Sequence, residues 1–104
     1  MQTYIVDYNF GKWHPDGTGF LYTPDYHDYK RVTIKAENID NLRLRLIQDY
    51  AKGRPFRCYV CRPTKEGYPG QDLGKLINYP DGYFWFKGRG NRGVMISPKT
   101  GRRA

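Results

Sequence analysis

The chain has 104 residues, a formal net charge of +8 and two cysteines, which limits it to one domain with one modest core and excludes the disulfide framework of small secreted proteins. Its hydrophobic content of 38% leans on rings, with ten Tyr, five Phe and two Trp, and no stretch approaches the roughly 18 apolar residues of a membrane span. Met1-Gln2-Thr3-Tyr4 lacks the basic and apolar regions of a secretion signal, so the expectation is a cytoplasmic chain with no membrane contact.

Tyr4, Val6, Tyr8 and Phe10 alternate with Thr3, Asp7 and Asn9, the period of a half-buried strand, and residues 3–10 form the first predicted element. Trp13-His14-Pro15-Asp16-Gly17 supplies a turn, and 18–23 returns as a second strand. A Tyr-rich acidic loop over 24–29 leads to a third strand, 31–36, with Val32, Ile34 and Ala36 inward. Asn38 or Asp40 then caps a helix over about 39–52, which Gly53 ends in a left-handed conformation before Pro55. Ile39, Leu42, Leu46, Ile47 and Tyr50 share one side of it, but Arg43 falls inside the apolar arc. Arg43 is expected to snorkel out or to meet a carboxylate. Phe56 to Arg62 is a strand, Leu73–Tyr79 and Tyr83–Lys87 form a hairpin around Tyr79-Pro80-Asp81-Gly82, and Val94–Ser97 is the last strand. The fold class is α+β: a mainly antiparallel sheet of about five to seven strands, with one central helix packed on one face and a short basic C-terminal tail over 98–104.

Charge divides this single basic domain unevenly. Residues 1–50 carry six Lys/Arg against seven Asp/Glu, whereas 51–104 carry twelve against three, with no acidic residue after Asp81. A one-signed field of this kind attracts polyanions. A single helix, about 10–12 Å across, covers two or three strands spaced about 4.8 Å apart, and on one side only. If the Phe residues of the two central strands face the helix, the other face displays Arg57, Tyr59, Tyr83, Trp85 and Lys87. Cations interleaved with rings suit single-stranded nucleic acid, whose bases stack while its phosphates meet the charge. The same rings also suit packing beneath the 24–29 loop or against a second copy of the chain.

Several motifs carry less than their spelling suggests. Gly88-Arg89-Gly90-Asn91-Arg92-Gly93 matches a dinucleotide-binding pattern but joins two strands instead of opening a helix, leaving a loop whose Arg89, Arg92 and backbone amides suit a phosphate. Cys58 and Cys61 have the spacing of a zinc knuckle, with His14 and His27 to complete the count, yet an extended strand sends the two thiols to opposite faces. Asp25 and Asp28 are too weakly patterned for a cation site. Ser97 is the only serine and lacks a nucleophile elbow,. A metal-independent nuclease using His14 and His27 is the residual catalytic option.

The sequence thus points to a binding protein with no cofactor or metal, whose partner is nucleic acid or an acidic protein surface. Arg57, Tyr59, Tyr83, Trp85, Lys87, Arg89, Arg92, Arg102 and Arg103 are the expected contacts. The alternatives are a small phage-type inhibitor or adaptor of a nucleic-acid enzyme, and a sponge or sensor for a phosphorylated nucleotide.

Overall fold

A computed structural model of the chain describes residues 1–13, 20–21, 29–88 and 92–104. Alternation becomes strand as expected in β1 (Gln2–Phe10), where Tyr4 and Val6 enter the core and Tyr8 and Phe10 pack against it. A two-stranded ribbon follows, β2 (Lys12–Trp13) against β3 (Phe20–Leu21). β3 falls within the expected strand 18–23; residues 14–19 and 22–28, which hold most of the predicted turn and loop, lie outside the described residues.

β4 (Lys30–Ala36) pairs antiparallel with one side of β1, and β5 (Phe56–Pro63) pairs antiparallel with its other side. β4 and β5 therefore run parallel to each other, and parallel strands need a long crossover between them. The helix is that crossover. It begins as α1 (Ile39–Arg45), capped by the Asn38 side chain, whose oxygen accepts the Asn41 backbone N–H at 2.9 Å. It continues as a π-helical stretch, Leu46–Ala51, in which the Lys52 N–H reaches back to the Ile47 carbonyl at 3.0 Å. Leu42, Leu46, Ile47 and Ala51 are all buried against the sheet. The left-handed terminator starts one residue earlier than expected, at Lys52 (φ 50°), and Gly53 (φ 76°) continues it.

From β5 the chain meanders. A turn closed by the Thr64 N–H on the Tyr68 carbonyl leads into β6 (Pro69–Tyr79), which starts earlier than the sequence suggests because pairing with β5 extends to Pro63↔Pro69 across two register shifts. The hairpin around Pro80-Asp81 forms as predicted, with Tyr79 opposite Gly82, and gives β7 (Gly82–Phe86) and then β8 (Val94–Ile96). The result is a six-stranded antiparallel sheet in the order β4-β1-β5-β6-β7-β8 with the helix on one face, an α+β fold. Tyr4, Phe56, Leu42, Leu46 and Leu76 are its largest fully buried side chains, and burying each aliphatic one contributes about 1.5–3 kcal/mol,. Among the described residues no helix is long and apolar enough to cross a membrane.

One expectation needs correction. Residues 98–104 are not a free tail: the Ser97 N–H bonds to the Arg102 carbonyl, the Ala104 N–H bonds to the Met95 carbonyl, and Ile96 bridges Arg103. Gly101 makes this return possible. At φ +72° it lies so close to the helix that a Cβ would sit 2.1 Å from the Asp40 carbonyl oxygen. Arg43 takes the second of its two expected outcomes: it meets a carboxylate and does not snorkel to solvent. It is 8% exposed, pairs with the Asp40 carboxylate, donates from Nε to the Gly101 carbonyl at 2.8 Å and lies 5.1 Å from the centroid of the Trp85 ring. Burial pushes its guanidinium below the usual arginine value, and Asp40 opposes that shift. One buried cation therefore ties the helix, the C-terminal turn and β7 together.

Candidate nucleic-acid interface

Strand register decides which side chains share the face opposite the helix. Two rows of partners cross the sheet there: Arg31, Asp7, Tyr59, Lys75 and Phe86 in one, and Asn9, Arg57, Ile77, Phe84 and Met95 in the other. β5 behaves as its sequence implies, with Phe56, Cys58 and Val60 buried in the core and Arg57 and Tyr59 on the far side. β7 is reversed relative to expectation. Trp85 lies in the core at 8% exposure and Tyr83 packs against it, while Phe84 and Phe86 occupy the open face.

The cause of the reversal is the two-residue hairpin turn. With Tyr79 opposite Gly82, Leu76 must face Trp85, and Leu76 also lies opposite Cys58, so Trp85 follows both into the core. Gly74 completes the arrangement. At φ +131° it leaves room for the indole, where a Cβ would stand 2.5 Å from Trp85 Cζ2. Lys87 shares the parity of Trp85 and lines a cleft on the helix side, so Tyr83, Trp85 and Lys87 do not join Arg57 and Tyr59.

On the open face the rings form two groups, each with a cation. Tyr29 and Tyr59 meet edge-to-face at 5.7 Å, and the Arg57 guanidinium lies 5.3 and 5.9 Å from their centroids. Tyr79 packs on Phe84 at 5.6 Å and Phe86 at 6.3 Å, with Lys75 Nζ 5.3 Å from the Phe86 centroid. Tyr59 and Phe86 flank Lys75 in one row, so the groups are neighbours across roughly two strand spacings, about 10 Å,. Tyr59 is exposed, whereas Phe84, Phe86, Tyr79 and Tyr29 are half-buried.

Arg57 is only 5% exposed, because it lies against Tyr29 and Tyr59, so it supports those rings instead of being displayed as expected. Among the described residues, the accessible cations of this face are Arg31, Lys35 and the half-buried Lys75. Arg31 makes a bidentate pair with Asp7 at 2.7 and 3.0 Å, a bond that raises its pKa.

The remaining predicted contacts are scattered. Arg92 is exposed beside Trp85 and Lys87, Arg102 and Arg103 are exposed on the strand-like return beside β8, and Arg89 lies outside the described residues. His14, His27, Asp25 and Asp28 also lie outside them. Cys58 faces the core and Cys61 the open side, where it pairs with Ile5, and no group of three or more His, Cys, Asp or Glu side chains gathers among the described residues. Lys75, Phe84, Phe86, Tyr79 and Tyr29 were missed as site residues. The signal available for β6 and β7 was hairpin register, which places Lys75 opposite Phe86 once Tyr79 is set against Gly82. Comparison of the chain with protein-family models, with curated proteins and with solved structures finds no match.

Proposed function

We propose that the domain is a nucleic-acid-binding module that receives single-stranded or structured RNA or DNA on the open face of its sheet. The observation that carries this reading is the row Tyr59–Lys75–Phe86, two rings flanking a cation on the face the helix leaves uncovered. Bases stack on such rings at roughly 1–3 kcal/mol each, and every base offers a π face, so the row suits sequence-tolerant binding. Arg57 stiffens the Tyr29–Tyr59 pair from beneath, while Lys75, Lys35 and Arg31 meet phosphates. The net charge of +8 supplies the long-range attraction,.

Fluorescence anisotropy with labelled single-stranded and hairpin DNA and RNA at two salt concentrations tests the proposal. The expected result is binding whose affinity falls as salt rises, through release of counterions, and which weakens in Tyr59→Ala. Absence of binding at low salt overturns it.

A further inference from the structure

The two edges of the sheet are finished differently. β8 is closed by the C-terminal return, where the Ala104 N–H bonds to the Met95 carbonyl and Ile96 bridges Arg103. β4, at the other edge, pairs with β1 alone. An unpaired edge is a template for another strand, and folded proteins cover or charge such edges.

Register decides which backbone groups of β4 point outward. The Gly11 N–H bonds to the Pro55 carbonyl, which continues the β1–β5 register beyond Phe10↔Phe56, so the odd-numbered residues of β1 turn their backbone groups toward β5. Its even-numbered residues therefore bond to β4, through Tyr4↔Ile34 and Val6↔Val32, and Arg31, Thr33 and Lys35 direct theirs away from the sheet,. The helix covers one end of this outward row. Arg45 donates to the Lys35 carbonyl, and just beyond the strand Asn41 Oδ1 accepts the Glu37 N–H at 3.4 Å. Among the described residues nothing meets the outward N–H and C=O of Arg31 and Thr33 or the N–H of Lys35.

Side chains set what this edge accepts. Lys30 and Lys35 are exposed near its two ends, about 17 Å apart along the strand,. Across the ladder they face Tyr8 and Thr3, and among the described residues neither enters an ion pair, whereas Arg31 is committed to Asp7. Between them the half-buried Val32 offers an added strand an apolar contact on the helix side. A second copy of the chain is a poor occupant. Pairing two β4 strands over their full length, about Thr33, would set Arg31 opposite Lys35 twice, and each copy carries a net charge of +8,.

We infer that the β4 edge receives an extended acidic segment of a partner protein as a seventh, antiparallel strand, held by backbone hydrogen bonds to Arg31 and Thr33 and by carboxylates opposite Lys30 and Lys35. Main-chain bonds supply the affinity in such strand additions and side chains select the partner. The site uses the edge of the sheet and does not rest on the nucleic-acid reading of its open face.

The test uses the intact protein and a blocked seven-residue peptide, threonine-glutamate-valine-threonine-valine-threonine-glutamate, which sets its glutamates opposite the two lysines. One control carries lysine in place of both glutamates. The other is N-methylated at its fourth and sixth residues, the donors to β4. Calorimetry should find saturable binding of the acidic peptide, about tenfold or more tighter than either control, the scale of two lost hydrogen bonds. Amide exchange followed by nuclear magnetic resonance should find the Arg31 and Thr33 N–H groups fast in the free protein and slowed by the peptide, with Val32 and Ile34 slow throughout. Thr33→Pro removes an outward N–H that β1 does not use and should weaken binding about tenfold or more. Lys30→Gln should weaken it about two- to fivefold, the scale of an exposed ion pair. If Thr33→Pro fails to fold, the exchange pattern of the unaltered protein still decides. No binding, equal binding of the N-methylated peptide, or binding that leaves Arg31 and Thr33 exchange unchanged would each overturn the assignment. So would slow exchange of both amides in the free protein that quickens on dilution, the mark of a second copy on this edge.

Discussion

The two faces of the sheet are built from the same strands and the same alternation, yet they are held by different forces. Beneath the helix, Val6, Phe56, Cys58, Val60 and Leu76 are fully excluded from water and order comes from close packing,. On the other face, Tyr59 and Phe86 keep accessible surface, and Arg57 and Lys75 are placed over rings. Packing of the first kind is costly to disturb and offers nothing to a partner. The contact of the half-buried Lys75 with Phe86 is worth about 0.5–1 kcal/mol and is readily exchanged for a phosphate, whereas the buried Arg57 stays beneath its rings,. Substitutions should therefore divide by face, with stability lost on one and affinity on the other.

The largest effect is expected from Phe56→Ala, which opens a cavity at a fully buried ring and should cost about 3–5 kcal/mol of unfolding free energy, measured from the urea midpoint,. Gly74→Ala should follow at about 3 kcal/mol, since the new methyl meets the Trp85 ring and the Phe86 carbonyl at a backbone angle that disfavours a side chain,. Thermal unfolding reads that cost, and near-ultraviolet dichroism reads the displaced indole. Tyr59→Ala sharpens the contrast from the other side. It should change stability by about 1 kcal/mol or less yet weaken oligonucleotide binding by about 1–3 kcal/mol, roughly five- to 150-fold. Equal stability losses for Phe56→Ala and Tyr59→Ala would break the distinction between the faces.

How far these faces were legible depended on what set each register. β4 and β5 alternate cleanly and β1 does so apart from Ile5, whose neighbours Asp7 and Asn9 still set the parity, so their inward residues follow from the sequence alone, and Asn38 marks the helix start through its side-chain cap. β6 gives no such guide, because Leu76 and Ile77 are adjacent apolar residues and either parity looks acceptable. Its alignment comes from long-range pairing with β5 across two register shifts, which no local pattern reports. With the parity of β6 open, nothing opposed the expectation that Phe84 and Phe86 join Phe56 beneath the helix, which put Trp85 on the wrong side. Arg43 looked like a flaw in an amphipathic helix because its partners, Asp40 apart, are remote in the chain: Trp85 on β7 and the Gly101 carbonyl in the C-terminal turn.

Cys58 and Cys61 allow a gentler probe, since they sit three residues apart on one strand and report on opposite faces. Burial pushes the Cys58 thiol up to about 12. A raised folded-state value means the unfolded chain ionises first, so this contribution to stability is complete below about pH 9 and is lost as pH climbs toward about 12, with a slope of at most about 1.4 kcal/mol per pH unit,. Cys58→Ala should flatten that decline in alkaline urea titrations. Cys61 is also raised, first by burial and then by Asp72 and Asp7 against the opposing Arg31, but it remains half-buried on the open side. A thiol reagent at mildly alkaline pH should therefore modify Cys61 slowly in the folded protein and reach Cys58 only on unfolding. If the open face is where nucleic acid binds, a saturating oligonucleotide should slow the Cys61 reaction and leave the unfolding-limited Cys58 reaction no faster. Protection of neither thiol would move the ligand off this face even where binding itself is established.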